Sequence, residues 1–161
     1  MRYCKQRDKY SCGSIAVLNA LKWAGFPVTY KDLKRIKKRL GNCRAIGTAQ
    51  SMLSPLLKKL FDNVQKDWYP TLSKFEKAIA NDKCIIVLYL YKSKKLTNGH
   101  FYLITNVTKD GKFFKTVNDN STTTVKVRSR KTIRNDIRWR KWDDNNYPIA
   151  WYIKRDHYDN P

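Results

Sequence analysis

Acidic side chains are scarce in this sequence. Against 34 lysines and arginines stand 13 acids, and only one of them, Glu76, is a glutamate. The formal net charge is +21. Such a balance argues against cationic partners and for anionic ones, such as nucleic acid, a membrane surface or an acidic protein. It carries no information about the fold. Histidine is rarer still, with only His100 and His157 present. The four cysteines, Cys4, Cys12, Cys43 and Cys84, form no C-x-x-C pair. A zinc site would have to draw on widely spaced ligands, so no metal and no cofactor are expected. Long apolar runs are missing too. The longest, Ile85 to Tyr91, falls far short of the roughly 20 residues a membrane helix needs. The opening Met1-Arg2-Tyr3-Cys4-Lys5-Gln6 has no apolar stretch, so neither a membrane span nor a secretion signal is expected. The thiols are then expected to be reduced and the location cytoplasmic. The Lys-, Asn- and Tyr-rich make-up suits an AT-rich genome; for a viral source the compartment would be the host cytoplasm.

What is present fits a folded chain. With 161 residues, 42% of them apolar, the length predicts one domain over 1–161 with a substantial core. Ser11 to Ala24 is apolar around much of a helical circumference (Ile15, Ala16, Leu18, Ala20, Leu21, Trp23) and predicts a buried central helix ended by Gly25-Phe26-Pro27. Thr29 and Asp32 have the spacing of a capping box for a second helix with the apolar stripe Leu33, Ile36, Leu40. A third helical stretch, Thr48 to Phe61, contains Pro55, which predicts a kink or a fresh start capped by Ser54. Thr71 to Asn81 predicts a fourth. Strands are expected at Cys84–Tyr91, His100–Thr108, Lys112–Asp119, Thr123–Val127 and Ile149–Lys154, with an Asp110-Gly111 turn joining the second and third. Helices first and antiparallel strands after make an α+β layout, with the N-terminal helices packed on a C-terminal sheet.

One stretch carries chemistry: Gln6-Arg-Asp-Lys-Tyr-Ser-Cys12-Gly-Ser. Its cysteine opens the first predicted helix, where unpaired backbone N–H groups favour a thiolate. Gly13 permits another segment to approach the backbone closely. Gln6, six residues before Cys12, could direct its amide N–H at an oxyanion beside the Cys12 N–H. A thiol nucleophile needs a base. His100, after Asn98-Gly99 at a predicted strand start, suits that role better than His157 in the polar Asp156-His-Tyr-Asp-Asn tail. A third group should hold the imidazole, and Asn118 and Asp119 are the candidates. Neighbouring strand residues face opposite sides, so only one of the two points at His100.

Taken together, Gln6, Tyr10-Ser11-Cys12-Gly13, Gly47-Thr48 before a helix, the Leu72 to Leu90 helix-then-strand passage, Gly99-His100-Phe101 and Val117-Asn118-Asp119 resemble the papain-like cysteine peptidases that process bacteriocin leaders at double-glycine sites. The resemblance spans about residues 3–120. The remainder, 121–161, is a basic, aromatic extension expected to complete the sheet. The resemblance implies a papain-like fold, Cys12 as nucleophile, His100 as base, Asp119 in preference to Asn118 as orienting acid, and Gln6 as oxyanion donor. It also implies a polypeptide substrate and an acyl-enzyme, in a peptidase free of the transporter to which family members are often fused. Ser14 and Asn120 stand where the family usually has proline. Deamidation or transamidation of glutamine would use the same triad.

A different class of function rests on charge. Lys31 to Arg44 is one basic cluster. Arg128, Arg130, Lys131, Arg134, Arg138 and Arg140 form a second, with Trp139, Trp142 and Tyr147 close by. Cations interleaved with aromatics suit phosphates and bases, so this cluster is a candidate anion- or nucleic-acid-binding face.

Overall fold

The structure, a computed structural model, describes residues 3–41, 48–93, 96–118, 125–138 and 147–155. Asp119, Arg140, His157, Cys43, Gly47, Trp139 and Trp142 lie outside the described residues.

The first helix, α1 (Cys12–Trp23), is buried on nearly every side, with Ile15, Ala16, Val17 and Leu18 fully enclosed. Burying each of the three larger ones, Ile15, Val17 and Leu18, contributes about 1.5–3 kcal/mol before entropy is counted. Helix α2 (Tyr30–Arg39) starts at the predicted capping box: Thr29 accepts from the Lys31 N–H, and Asp32 accepts from the Thr29 N–H at 2.9 Å. Helix α3 (Gln50–Leu60) runs through Pro55 without a break, so neither a new helix nor a Ser54 cap forms. Buried Leu53, Leu56 and Leu57 hold it against the core, and the Ser54 hydroxyl instead accepts from the Trp151 indole N–H at 2.8 Å. Helix α4 (Leu72–Ala80) forms within the expected stretch, with the Thr71 side chain accepting from the Lys74 N–H as its cap.

Six antiparallel strands form one sheet: β1 (Val64–Asp67), β2 (Lys83–Ser93), β3 (Leu96–Val107), β4 (Phe113–Val117), β5 (Lys126–Ser129) and β6 (Ile149–Lys154), in the order β1-β6-β2-β3-β4-β5. The last described strand therefore lies inside the sheet, between β1 and β2. The β3–β4 hairpin turns at Asp110-Gly111, where Gly111 takes φ +70, a left-handed value that glycine adopts without steric cost. Two elements differ from the sequence expectation. Strand β1 joins the sheet from the helical half of the chain, and a short helix, α5 (Arg130–Asp136), interrupts the predicted run of strands.

The sheet has a core on each face. On one, α1, α2 and α3 enclose Leu88, Phe101, Leu103, Val117 and Trp151; on the other, α4 and α5 cover Val87, Tyr102, Ile104, Phe114 and Tyr152. Helices thus lie on both sides of the sheet, not on one. Among the described residues, no helix is long and apolar enough to cross a membrane.

Candidate active site

Strand β3 outruns its neighbour β4, whose pairing with it stops at Leu103↔Val117. His100 pairs with Tyr89 of β2 and so sits within β3, not at its start, because the β2–β3 hairpin extends to Ser93↔Leu96. Beyond the end of β4, other groups take the place of ladder partners for Phe101. Its carbonyl accepts from Asn118 Nδ2 at 3.0 Å, and its N–H faces the Cys12 thiol. Asn118 Nδ2 also donates to the Cys12 carbonyl at 3.1 Å. Asn118 thereby joins the first residue of α1 to the residue after His100, and it does so with a left-handed backbone, φ +68. Asparagine tolerates this region better than most side chains.

The same residue fixes the imidazole. His100 Nε2 lies 2.8 Å from the Asn118 carbonyl oxygen. A carbonyl can only accept, so Nε2 carries the proton and Nδ1 is the ring's acceptor in the neutral form. The Tyr89 ring meets the imidazole edge-on, 5.7 Å between centroids. The Asn118 side-chain nitrogen is thus occupied by Cys12 and Phe101, while its main-chain carbonyl meets the ring.

At the start of α1, Ser11 does not cap the helix. Its hydroxyl donates instead to Asp8 Oδ2, while the Tyr10 N–H donates to Asp8 Oδ1 at 2.8 Å. The first-turn N–H groups of Cys12 and Gly13 are left to face the thiol. They favour the thiolate, as the helix start predicts, but burial outweighs them. Burial pushes the Cys12 thiol up from its ordinary value, the N–H groups of Phe101, Gly13 and Cys12 bring it part of the way back, and the Asp8 charge adds a small upward push. The expectation of a lowered thiol pKa is therefore reversed: at 7% exposure a charge loses more hydration than these dipoles return.

Gly13 is required sterically. A Cβ there would lie 2.6–2.7 Å from the Thr48 side chain, the close approach anticipated from the sequence. Gln6 is buried, and its Nε2 donates to the Asp8 carbonyl at 2.6 Å. The partner being a carbonyl fixes which end of the amide is NH2 and leaves that nitrogen a second N–H. Its Oε1 is buried with no hydrogen-bond partner among the described residues.

Asp8 is the hub of this loop, a role with no local signal in the sequence. Burial would raise its carboxyl, but the Lys37 ammonium at 2.8 Å, the Ser11 hydroxyl and the Tyr10 N–H outweigh that and hold it at about 2. A carboxylate depressed on folding stabilises the native state above its ordinary value of 3.8 and loses that contribution as the pH falls toward 2. With the side chain 41% exposed, solvent screening leaves about 1 kcal/mol. Asp8→Asn should lower stability by about that much at pH 7, and urea midpoints of the two proteins should converge as the pH falls below 4. A difference that stayed constant with pH would contradict this.

The other described thiols differ in setting. Cys84 is fully enclosed at the centre of the sheet, its pKa pushed well above the ordinary value by burial. Cys4 is clamped through its main chain by Asn19, which accepts from the Cys4 N–H at 2.7 Å and donates to its carbonyl at 3.1 Å. Asn19 thus pins the N-terminal segment to α1, another contact with no local sequence signal.

No family model and no curated protein matches this sequence. Among solved structures, one from Bacillus anthracis, provisionally described as a C39-like peptidase, superposes with a TM-score of 0.66, covering 95% of this chain and 94% of that one at 11% identity. At this identity the superposition shows a shared fold and nothing finer. The chain has the α+β, papain-type fold of C39-like peptidases.

Proposed function

We propose that this protein is a cysteine peptidase that cleaves a peptide bond through an acyl-enzyme on Cys12. The observation that supports this reading most is the joint held by Asn118: a cysteine at the uncapped start of a buried helix, laid against the N–H of the residue that follows a tautomer-fixed histidine. The fold shared with a C39-like peptidase favours a polypeptide substrate.

In this mechanism His100 Nδ1 takes the thiol proton as the sulfur attacks the carbonyl carbon. A raised thiol pKa suits proton transfer during attack, since the resting sulfur is then neutral. The new oxyanion is held by the Cys12 N–H and the second N–H of Gln6. When the tetrahedral intermediate collapses, the C–N bond breaks and His100 returns the proton to the leaving amine. The resulting thioester is opened by water, with His100 as base again, releasing the carboxylate product and the thiol. The Asn118 carbonyl orients the ring throughout. Asp119, which follows it, is the acid that the family resemblance pairs with His100.

The test is a library of internally quenched peptides, with products identified by mass. Hydrolysis should yield two fragments per substrate, whereas glutamine deamidation would leave the peptide whole. An oxyanion donor is worth a few kcal/mol of barrier, so Gln6→Ala should lower kcat about 10²-fold with little change in KM. A loss confined to KM would remove Gln6 from the oxyanion role.

A further inference from the structure

The cations on the α4–α5 side of the sheet fall into two groups. Three acids there are all engaged: Asp67 with Lys74 at 3.0 Å and the Tyr152 hydroxyl at 2.9 Å, Glu76 with Arg130, and Asp136 with Arg128 at 2.7 Å. Arg128 is nearly enclosed and lies 5.2 Å from the Tyr102 ring centroid, while Arg130 also donates to the Gly111 carbonyl at 3.0 Å. These two arginines fasten β5 and α5 to their surroundings, which removes them from the anion-binding set expected from sequence. Lys131, Arg134 and Arg138 are different. They are exposed, while Ile133 and Ile137 turn into the core.

Ile137, beside Arg138, also lines a small pocket of about 150 Å³ with Trp68, Tyr69, Pro70, Thr71 and Pro148. Two aromatic rings are presented at its rim, Trp68 at 46% exposure and Tyr69 at 70%. The Lys66 ammonium sits 3.7 Å from the Trp68 ring centroid. It lies over one face of the indole and places a positive charge at the rim.

We propose that this rim is a binding site for single-stranded nucleic acid, with unpaired bases stacking on Trp68 and Tyr69 and phosphates met by Lys66, Lys131, Arg134 and Arg138. Stacking on exposed rings flanked by cations is the usual physics of sequence-tolerant single-strand binding. A duplex keeps its base faces stacked internally and cannot offer them to Trp68. An acidic peptide supplies charge without a regular series of flat faces. The strongly positive chain, +21 overall, adds long-range attraction for any polyanion. Local pairing of the nearby acids leaves the α5 cations to supply the short-range part. This site does not depend on Cys12 or on the peptidase reading.

Anisotropy of a labelled oligodeoxythymidine, followed over a salt series, tests the proposal. Wild type and Cys12→Ala should bind alike. The Trp68→Ala, Tyr69→Ala double variant should bind about ten-fold more weakly or worse at unchanged salt slope, and Trp68→Phe should recover most of that loss. Replacing Lys131, Arg134 and Arg138 by alanine should reduce the salt slope by about two, since each single-strand phosphate contact contributes about 0.7. Removing Lys34, Arg35 and Lys38 from α2 should matter much less. The proposal is overturned if the α2 variant loses as much as the α5 variant, or if the aromatic double variant binds like wild type. It is equally overturned if duplex DNA, an acidic peptide or anionic phosphatidylserine vesicles bind more tightly than the single strand. Circular dichroism melts of each variant separate lost binding from lost folding.

Discussion

Cys12→Ala should abolish peptide turnover, by about 10⁴-fold or more, while the protein stays folded. Deleting one sulfur removes the atom on which the proposed acyl-enzyme forms. The structural cost is small. The Phe101 N–H loses only a weak sulfur acceptor, while the Asn118 bond to the Cys12 carbonyl, a main-chain contact, survives. His100→Ala should show a comparable loss by a different route, leaving the thiol in place but without its proton acceptor. Steady-state rates and urea unfolding on the same preparations separate the two quantities. A Cys12→Ala protein that retained turnover would contradict the mechanism, and one that failed to fold would contradict the structural argument.

Asn118→Ala should damage both stability and rate. The Asn118 Nδ2 satisfies two buried carbonyls, those of Cys12 and Phe101, and each left unpaired costs about 1–3 kcal/mol. Alanine is also less tolerant of the left-handed backbone at φ +68. The sum is about 3–4 kcal/mol of stability. Alanine keeps the main-chain carbonyl that meets His100 Nε2 but loses the two amide bonds that anchor the backbone carrying it. The imidazole is then held less firmly, and kcat should fall about 10²-fold in whatever fraction remains folded. Asn118→Gly relieves the backbone strain but not the lost amide, so it should recover a small part of the stability and little of the rate. If Asn118→Gly restored full activity, the side-chain amide would have no part in holding the site.

Much of the fold was legible where the signal is local. The Thr29–Asp32 box, the Asp110-Gly111 turn and the apolar circumference of α1 are each fixed by residues a few positions apart. What was not legible depends on distant partners. Strand β1 has four residues and one aliphatic side chain; it is a strand because β6, almost ninety residues later, pairs with it. Helix α5 reads as a basic cluster because its only buried side chain is Ile133, and its anchors are the ion pairs of Arg128 and Arg130. Pro55 is tolerated inside α3 because leucines on one face hold the helix where local preference would break it.

The candidate site divides the same way. Cys12, Gly13 and Gln6 are legible from a helix start and its spacing, and His100 from the scarcity of alternatives. Asp8, Asn19 and the two-sided role of Asn118 are not, because they depend on distant partners: Asp8 on Lys37 of α2, Asn19 on Cys4 of the N-terminal segment, and Asn118 on α1 laid against β3. The direction of the Cys12 pKa is hidden for a related reason: the apolar helix is visible in sequence, but the enclosure of its first residue against Phe101 is not.

The most direct test of the account is active-site labelling with a peptidyl chloromethyl ketone at neutral pH, read by intact mass and peptide mapping. The reagent needs both a recognised peptide and an activated sulfur. The prediction is a single adduct, confined to Cys12, that forms far more slowly in His100→Ala and leaves Cys4, Cys43 and Cys84 unmodified. Adducts spread over several cysteines, or a Cys12 adduct that forms equally fast without His100, would contradict it.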